Sequence, residues 1–252
     1  MSIETTNRTF PKLGTDLLDR QSLDVVDLTR PIYEGMPQWF GHQKTFIMVN
    51  QTHDEFMEKY KTTCGFEAHN LLISEHVGTH TDAIFEYAKN GPTLDESPLS
   101  FYYGPAVCID VEPFVESDVE LLSEEKMVQA VAASGQEIRR GDVLLLHFGY
   151  GDRVWPDLAY AERNPGLSHE AARWIAEQGV VNIGVDQMSI DSSEDPDFSA
   201  HAICAEYGIV NTESLTNLSS IKNERVLFLG LPLNIRGGTG SPIRAVAIRQ
   251  AG

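Results

Sequence analysis

Short, almost wholly apolar runs recur from one end of the chain to the other, and they leave few architectures open. Residues 106–111 (AVCIDV), 142–147 (DVLLLH), 181–185 (VNIGV) and 226–230 (VLFLG) are strand candidates, several so apolar that they suit strands covered on both faces. Residues 23–28 (LDVVDL), 44–50 (KTFIMVN), 66–74 (FEAHNLLIS) and 244–248 (RAVAI) add further segments rich in β-branched and apolar residues. Helical signals are fewer. Ser123 precedes acidic residues and then helix formers, Ser168 opens a segment with an apolar face that stops at Gly179, and 199–207 (SAHAICAEY) predicts a shorter helix ending near Gly208. Many strands with a few helices predict an α/β (mixed α+β) fold. At 252 residues, 42% of them hydrophobic, the chain suffices for one sizeable core. A single domain over 23–252 is the expectation, preceded by an arm or short helix over 1–22.

Proline and glycine mark loops at 31–41 (PIYEGMPQWFG), 91–98 and 235–242 (IRGGTGSP). The last holds three glycines, Gly237, Gly238 and Gly240, but lacks the Lys-Ser/Thr ending of a phosphate-binding loop. It reads as a tight turn that lets two backbones approach, in preference to a phosphate nest.

Acidic residues outnumber basic ones 37 to 19, for a net charge of −18. Such a surface repels phosphate backbones and acidic lipid, so neither nucleic acid nor membrane is an expected partner. No run approaches the ~18 apolar residues of a membrane helix, and the N-terminus has no basic start followed by an apolar stretch. The three cysteines, Cys64, Cys108 and Cys204, have no CxxC spacing and read as free thiols, so a cytoplasmic protein is the expectation.

The chemistry concentrates in His76-Val-Gly-Thr-His80-Thr-Asp82. Gly78 and the β-branched Thr79 argue against a helix there, so the run reads as a strand end turning into a loop. His80 and Asp82, two apart, can point to one side, and His76 needs the bend at Gly78 to join them. Imidazoles with a carboxylate suit zinc, manganese or iron; the competing reading is a buried turn with hydrogen-bonded histidines. His201 and Glu213, twelve residues apart, complete a set of three histidines and two carboxylates. A shared carboxylate can bridge two metals ~3.5–4 Å apart, and Asp82 is the natural bridge. Trp39 and Phe40 suit an aromatic wall over a flat small-molecule substrate, or alternatively a subunit contact. His147 ends an apolar strand, either as a satisfied core histidine or approaching the site. Asp186 and Asp191 read as loop hydrogen-bonding residues.

These motifs resemble the cyclase-type metal-dependent hydrolase family, that of bacterial kynurenine formamidase and isatin hydrolase, whose signature is HxGTHxD. Asp27-Leu-Thr-Arg-Pro31, Met36-Pro37-Gln-Trp39, Asn164-Pro-Gly-Leu-Ser168, Gly184-Val-Asp-Gln-Met-Ser-Ile-Asp191, Leu231-Pro-Leu233 and the 238–244 stretch extend the resemblance over roughly residues 23–248. The resemblance implies a β/β/α core, a homodimer or homotetramer, and one or two Mn²⁺ or Zn²⁺ ions per subunit. His76, His80 and Asp82 would hold one ion, and Asp82, His201 and Glu213 the second. It implies hydrolysis of a cyclic amide or aryl formamide by a metal-activated water, with lactone hydrolysis as the runner-up. The sequence departs from the pattern at one place. Where the family has a proton-shuttling histidine four residues after the aspartate, this chain has Glu86, and Ile84 replaces the usual proline. A glutamate can serve as general base beside a metal-bound water, can itself ligate the metal, or can mark a metal-binding protein that has lost activity.

Overall fold

A computed structural model describes residues 22–250, so the arm expected over 1–22 lies outside the described residues apart from Ser22. The strands are Leu23–Asp27 (β1), Phe46–Gln51 (β2), Ala68–Leu72 (β3), His80–Asp82 (β4), Tyr103–Asp110 (β5), Leu121–Leu122 (β6), Val143–His147 (β7), Gly166–Leu167 (β8), Asn182–Val185 (β9), Val210–Glu213 (β10), Arg225–Leu229 (β11), Gly240–Pro242 (β12) and Val246–Gln250 (β13). The α-helices are His53–Tyr60 (α1), Ile84–Tyr87 (α2), Glu124–Ser134 (α3), Tyr150–Val154 (α4), His169–Glu177 (α5) and Ser199–Tyr207 (α6).

Nine strands form one mixed sheet in the order β1-β13-β11-β5-β7-β9-β10-β4-β12. Its centre, β5-β7-β9-β10, is parallel, and the strands on either flank pair antiparallel. Parallel neighbours need crossovers, which α3, α5 and α6 supply in turn. The expected serine caps hold: Ser123 accepts from the Lys126 N–H and Ser168 from the Ala171 N–H.

Pleating sends alternate residues of the central strands into opposite cores. Val107, Ile109, Leu144, Leu146, Ile183 and Val185 pack with residues of α3, α5 and α6 such as Met127, Ile175 and Ile203. Ala106, Cys108, Val143 and Leu145 meet Leu28, Phe228, Ala247 and the 215–221 segment on the other side. Because both faces are covered, β7 shows no polar alternation. Each large apolar side chain so buried stabilises the fold by ~1.5–3 kcal/mol.

Three local findings differ from the sequence reading. The strands expected at 44–50 and 66–74 pair with each other in a separate hairpin, β2-β3, outside the main sheet. Phe46, Met48, Val49, Leu71 and Leu72 are exposed there, so their apolar character does not come from this chain's core. Between them lies α1, which no apolar face announces; its signal is the capping box of Thr52 and Glu55. The end of the glycine-rich loop is β12, an edge strand beside β4.

Candidate active site

β4 lies between β10 and β12, and its register builds the site. His80 stands opposite Glu213 and Thr81 opposite Thr212 on one side; Asp82 pairs with Gly240 on the other. Strand alternation puts His80 and Asp82 on one face, while Thr81 turns away and donates to the Asn211 carbonyl at 2.8 Å. Directly opposed residues have Cβ atoms ~4.5–5.5 Å apart, which brings the Glu213 carboxylate to His80 without any loop. The chain reverses at Gly78 with φ +61°, a conformation open to glycine, and this returns His76 to the cluster. His76 lies flat against Gly240, where a Cβ would sit 2.5 Å from its Cε1. The same Cβ would lie 3.0 Å from the Thr81 carbonyl oxygen, the close approach of two backbones expected of the glycine-rich loop.

The contacts are short. His76 Nδ1 lies 2.6 Å from Asp82 Oδ1, and His80 Nε2 lies 3.4 Å from Asp82 Oδ1 and 3.5 Å from Glu213 Oε2. His201, in the first turn of α6, places Nε2 3.7 Å from Glu213 Oε1. Glu86 on α2 reaches back to within 3.4 Å of His76 Nε2. The structure thus converges all five residues proposed from sequence as ligands, with Glu86 beside them. One donor atom from each of His76, His80 and Asp82 lies within 4.8 Å of the others, and the same holds for Asp82, His201 and Glu213. The two triads share Asp82.

The electrostatics describe a cluster short of positive charge. Burial works against the Asp82 carboxylate, but the charges of His80 and His76 hold its pKa down to about 2. Burial and the Asp82 charge push Glu213 up to about 8 and Glu86 up to about 9. Burial opposes the imidazolium of His76, yet Asp82 raises it to about 9; burial likewise opposes that of His201, and Asp191 raises it to about 10. His80 is pushed down by burial. Protons therefore supply the positive charge this group of carboxylates demands. A divalent cation supplies the same charge more compactly. Nitrogen donors with a shareable carboxylate suit zinc or manganese, so the residues present fit the ion that the resemblance implies.

Several residues that orient the cluster were not foreseen as such. Asp191 hydrogen-bonds His201 Nδ1 through one oxygen and accepts from the Ala200 N–H at 2.6 Å through the other. The Thr239 hydroxyl donates to Glu75 Oε2 at 2.6 Å and lies 2.9 Å from His76 Nε2. Asp186, by contrast, serves backbone as expected, accepting from the Phe148 and Gly151 N–H groups. The sequence marked Asp191 only as the end of the Gly184–Asp191 motif and as a residue ten before His201. Carboxylates that fix a metal-binding imidazole typically contribute 10–100-fold to metal affinity, so Asp191→Asn is expected to weaken metal binding by about that factor. Competition with a chromogenic chelator measures it; an unchanged affinity would show that Asp191 has no such role.

The cluster floors a cavity of about 1040 Å³. Met36, Trp39, Phe40, Leu158 and Phe198 line its walls. Trp39 and Phe40 stack obliquely, with centroids 4.5 Å apart, and Phe40 is 83% exposed. His42 also lines the cavity, its ring 5.1 Å from that of His76, a neighbour the sequence reading did not single out.

His147 does not line this cavity. It is buried at the end of β7, with Nδ1 2.8 Å from Asp110 Oδ1. Burial opposes its charge, but Asp152, Asp186 and Asp110 outweigh that and raise it to about 9. Unfolded histidine titrates near ~6.5, so the folded state binds the proton more tightly. The resulting stabilisation is fully present below that pH and is lost as pH rises through about 9. His147→Gln is expected to remove this loss between pH ~6.5 and ~9, read from urea unfolding midpoints across that range. A wild-type midpoint that does not fall across it would contradict the assignment.

Comparison with known proteins agrees with this geometry. The Cyclase family model, described as "Putative cyclase", matches residues 26–192. A kynurenine formamidase from Salinibacter ruber is 29% identical over 225 residues, covering 88% of this chain and 96% of that protein. Isatin hydrolase A from Ralstonia solanacearum superposes with a TM-score of 0.77 at 26% identity, covering 90% of this chain and 92% of the other. Isatin hydrolase A from Labrenzia aggregata, bound to benzyl benzoate, gives 0.81 at 23% identity over 93% and 96% of the two chains, a likeness of fold. With the family model matching well over half of the chain and the HxGTHxD run at its site, the chain belongs to the cyclase family.

Proposed function

We propose that this protein is a metal-dependent hydrolase that opens the C–N bond of an aryl formamide or a small cyclic amide. The observation that carries this reading is the pair of ligand triads sharing Asp82, with Glu86 3.4 Å from His76, on the floor of an aromatic-walled cavity. The names of the relatives, kynurenine formamidase and isatin hydrolase, support the same bond type. His76, His80 and Asp82 would hold one Mn²⁺ or Zn²⁺ ion, and Asp82, His201 and Glu213 a second where two bind. Bound there, such an ion would supply Lewis acidity to a water and to the scissile carbonyl. With a cation in place of the protons that the cluster otherwise binds, Glu86 is ionised, and its carboxylate accepts the proton of the attacking water and returns it to the leaving nitrogen. Its side chain is 30% exposed, open to the cavity and still held against the buried cluster. Asp191 and Thr239 keep His201 and His76 in place. Trp39 and Phe40 hold the flat substrate, displacing water from its faces.

Assays of the manganese- and zinc-loaded protein on N-formylkynurenine, formanilide, isatin, lactams and lactones test the reading. Turnover of an amide supports it. Turnover of lactones alone would move the activity to esters, and metal uptake without any turnover would reduce the chain to a metal-binding protein. The exposed apolar residues of the β2-β3 hairpin support a homodimer or homotetramer in which a second copy covers them; light scattering reads the mass, and a monomer would count against it.

A further inference from the structure

A second group of ligating side chains lies outside the cavity lining, at the end of the parallel strands. Asp110 and His147 are register partners, the last residues of β5 and β7. The sheet itself sets their approach, with His147 Nδ1 2.8 Å from Asp110 Oδ1. Glu112 follows two residues on. The Val111 N–H, bonded to the His147 carbonyl at 3.0 Å, keeps that stretch beside β7. The Glu112 carboxylate packs on Gly149, where a Cβ would lie 2.5 Å from Oε1, and its Oε2 lies 4.0 Å from His147 Nδ1. One donor atom from each of Asp110, Glu112 and His147 lies within 4.8 Å of the others.

Two features of this group call for a cation. The first is His147 Nε2, which is buried and has no hydrogen-bond partner among the described residues; Asp152 Oδ2 faces it at 3.7 Å, beyond hydrogen-bond reach. While Nδ1 donates to Asp110, Nε2 stays unsatisfied. If Nδ1 instead ligates an ion, the ring proton sits on Nε2, and a short movement of the partly exposed Asp152 accepts it. Metal-binding imidazoles commonly donate their other N–H to a carboxylate in this way. The second is charge. Asp110, Glu112 and Asp152 bring three negative charges, and Lys222, 3.1 Å from Asp110 Oδ2, brings one positive. Two remain, which a divalent ion cancels. We propose that Asp110, Glu112 and His147 form a divalent-cation site separate from the active centre, and that the ion braces one wall of the cavity. Ligand atoms around a tetrahedral zinc stand ~3.4 Å apart, and the separations of 2.8 and 4.0 Å bracket that value. Just beyond His147 the chain runs through α4 to Leu158 and Glu162, which line the cavity. Glu112 is 44% exposed, so the ion is held more weakly than one in the active centre and leaves on dialysis against metal-free buffer.

Zinc counted per chain at equilibrium with micromolar zinc tests the site on the full-length protein. Wild type is expected to hold one zinc more than His147→Gln or Glu112→Gln. Glu112 lies at the surface, so its variant decides the matter if His147→Gln fails to fold. Asp82→Asn should keep this zinc and Asp82→Asn/Glu112→Gln should lose it, which separates the site from the active centre and from the hydrolase reading. Hydrogen exchange over residues 148–162 reads the bracing. It should slow when zinc is added to Asp82→Asn and stay unchanged in the double variant. Equal zinc contents in wild type and Glu112→Gln, or exchange in Asp82→Asn that does not respond to zinc, would overturn the proposal.

Discussion

Replacing Asp82 by asparagine is expected to strip the protein of metal and to lower turnover by ~1000-fold or more, the loss of several kcal/mol of transition-state stabilisation. Asp82 is the one residue common to both ligand triads. An amide oxygen there keeps the shape and removes the charge. The Asp82 charge is also what holds the proton on His76, and it raises the pKa of Glu86 and Glu213. Without it the cluster has less need of any cation, so metal affinity falls for a second reason. The fold should persist, because Asp82 lies at the end of a three-residue strand whose backbone pairing does not involve its side chain. Metal content after dialysis, kcat/KM and a thermal unfolding curve separate these effects. A variant that keeps a full metal complement would remove Asp82 from the centre of the site.

Replacing Glu86 by glutamine is expected to leave metal content unchanged and to lower kcat by ~10²–10⁴-fold, the usual contribution of a positioned general base. Glu86 falls outside both triads, although its Oε1 lies 3.4 Å from His76 Nε2. α2 holds it there: its N–H donates to the Ala83 carbonyl at 3.0 Å, and the Ala83 N–H is tied to the Thr239 carbonyl at 2.8 Å. Glutamine fills the same volume and cannot accept the proton. If Glu86 were instead a ligand, metal content and rate would fall together. Glu86→His, which restores the residue usual in the family, should recover part of the rate lost in Glu86→Gln.

Much of this site was legible in the sequence because two of its determinants are local. The spacing of His80 and Asp82 is a strand period, and Gly78 marks the reversal that returns His76. The approach of His201 and Glu213 to that turn is tertiary. It depends on the antiparallel pairing of β10 with β4, which no local pattern encodes, and it became readable through the family resemblance. Asp191 and Thr239 were missed because a carboxylate or hydroxyl that orients an imidazole looks, along the chain, like any loop hydrogen-bonding residue. In the fold, β5, β7 and β9 were evident because burial on both faces erases polar alternation. The β2-β3 hairpin carries similar apolar residues and was indistinguishable from them, although they are largely exposed in this chain. β12 was hidden by its composition, Gly-Ser-Pro, which suits an edge strand as readily as a turn.

The central claim is that His76, His80, Asp82, His201 and Glu213 together hold a divalent ion. Crystals grown with manganese and measured for anomalous scattering address it directly. A peak in contact with Asp82 and flanked by His76 and His80, or by His201 and Glu213, is the predicted result. Ordered density for all five side chains with no anomalous peak among them would contradict it.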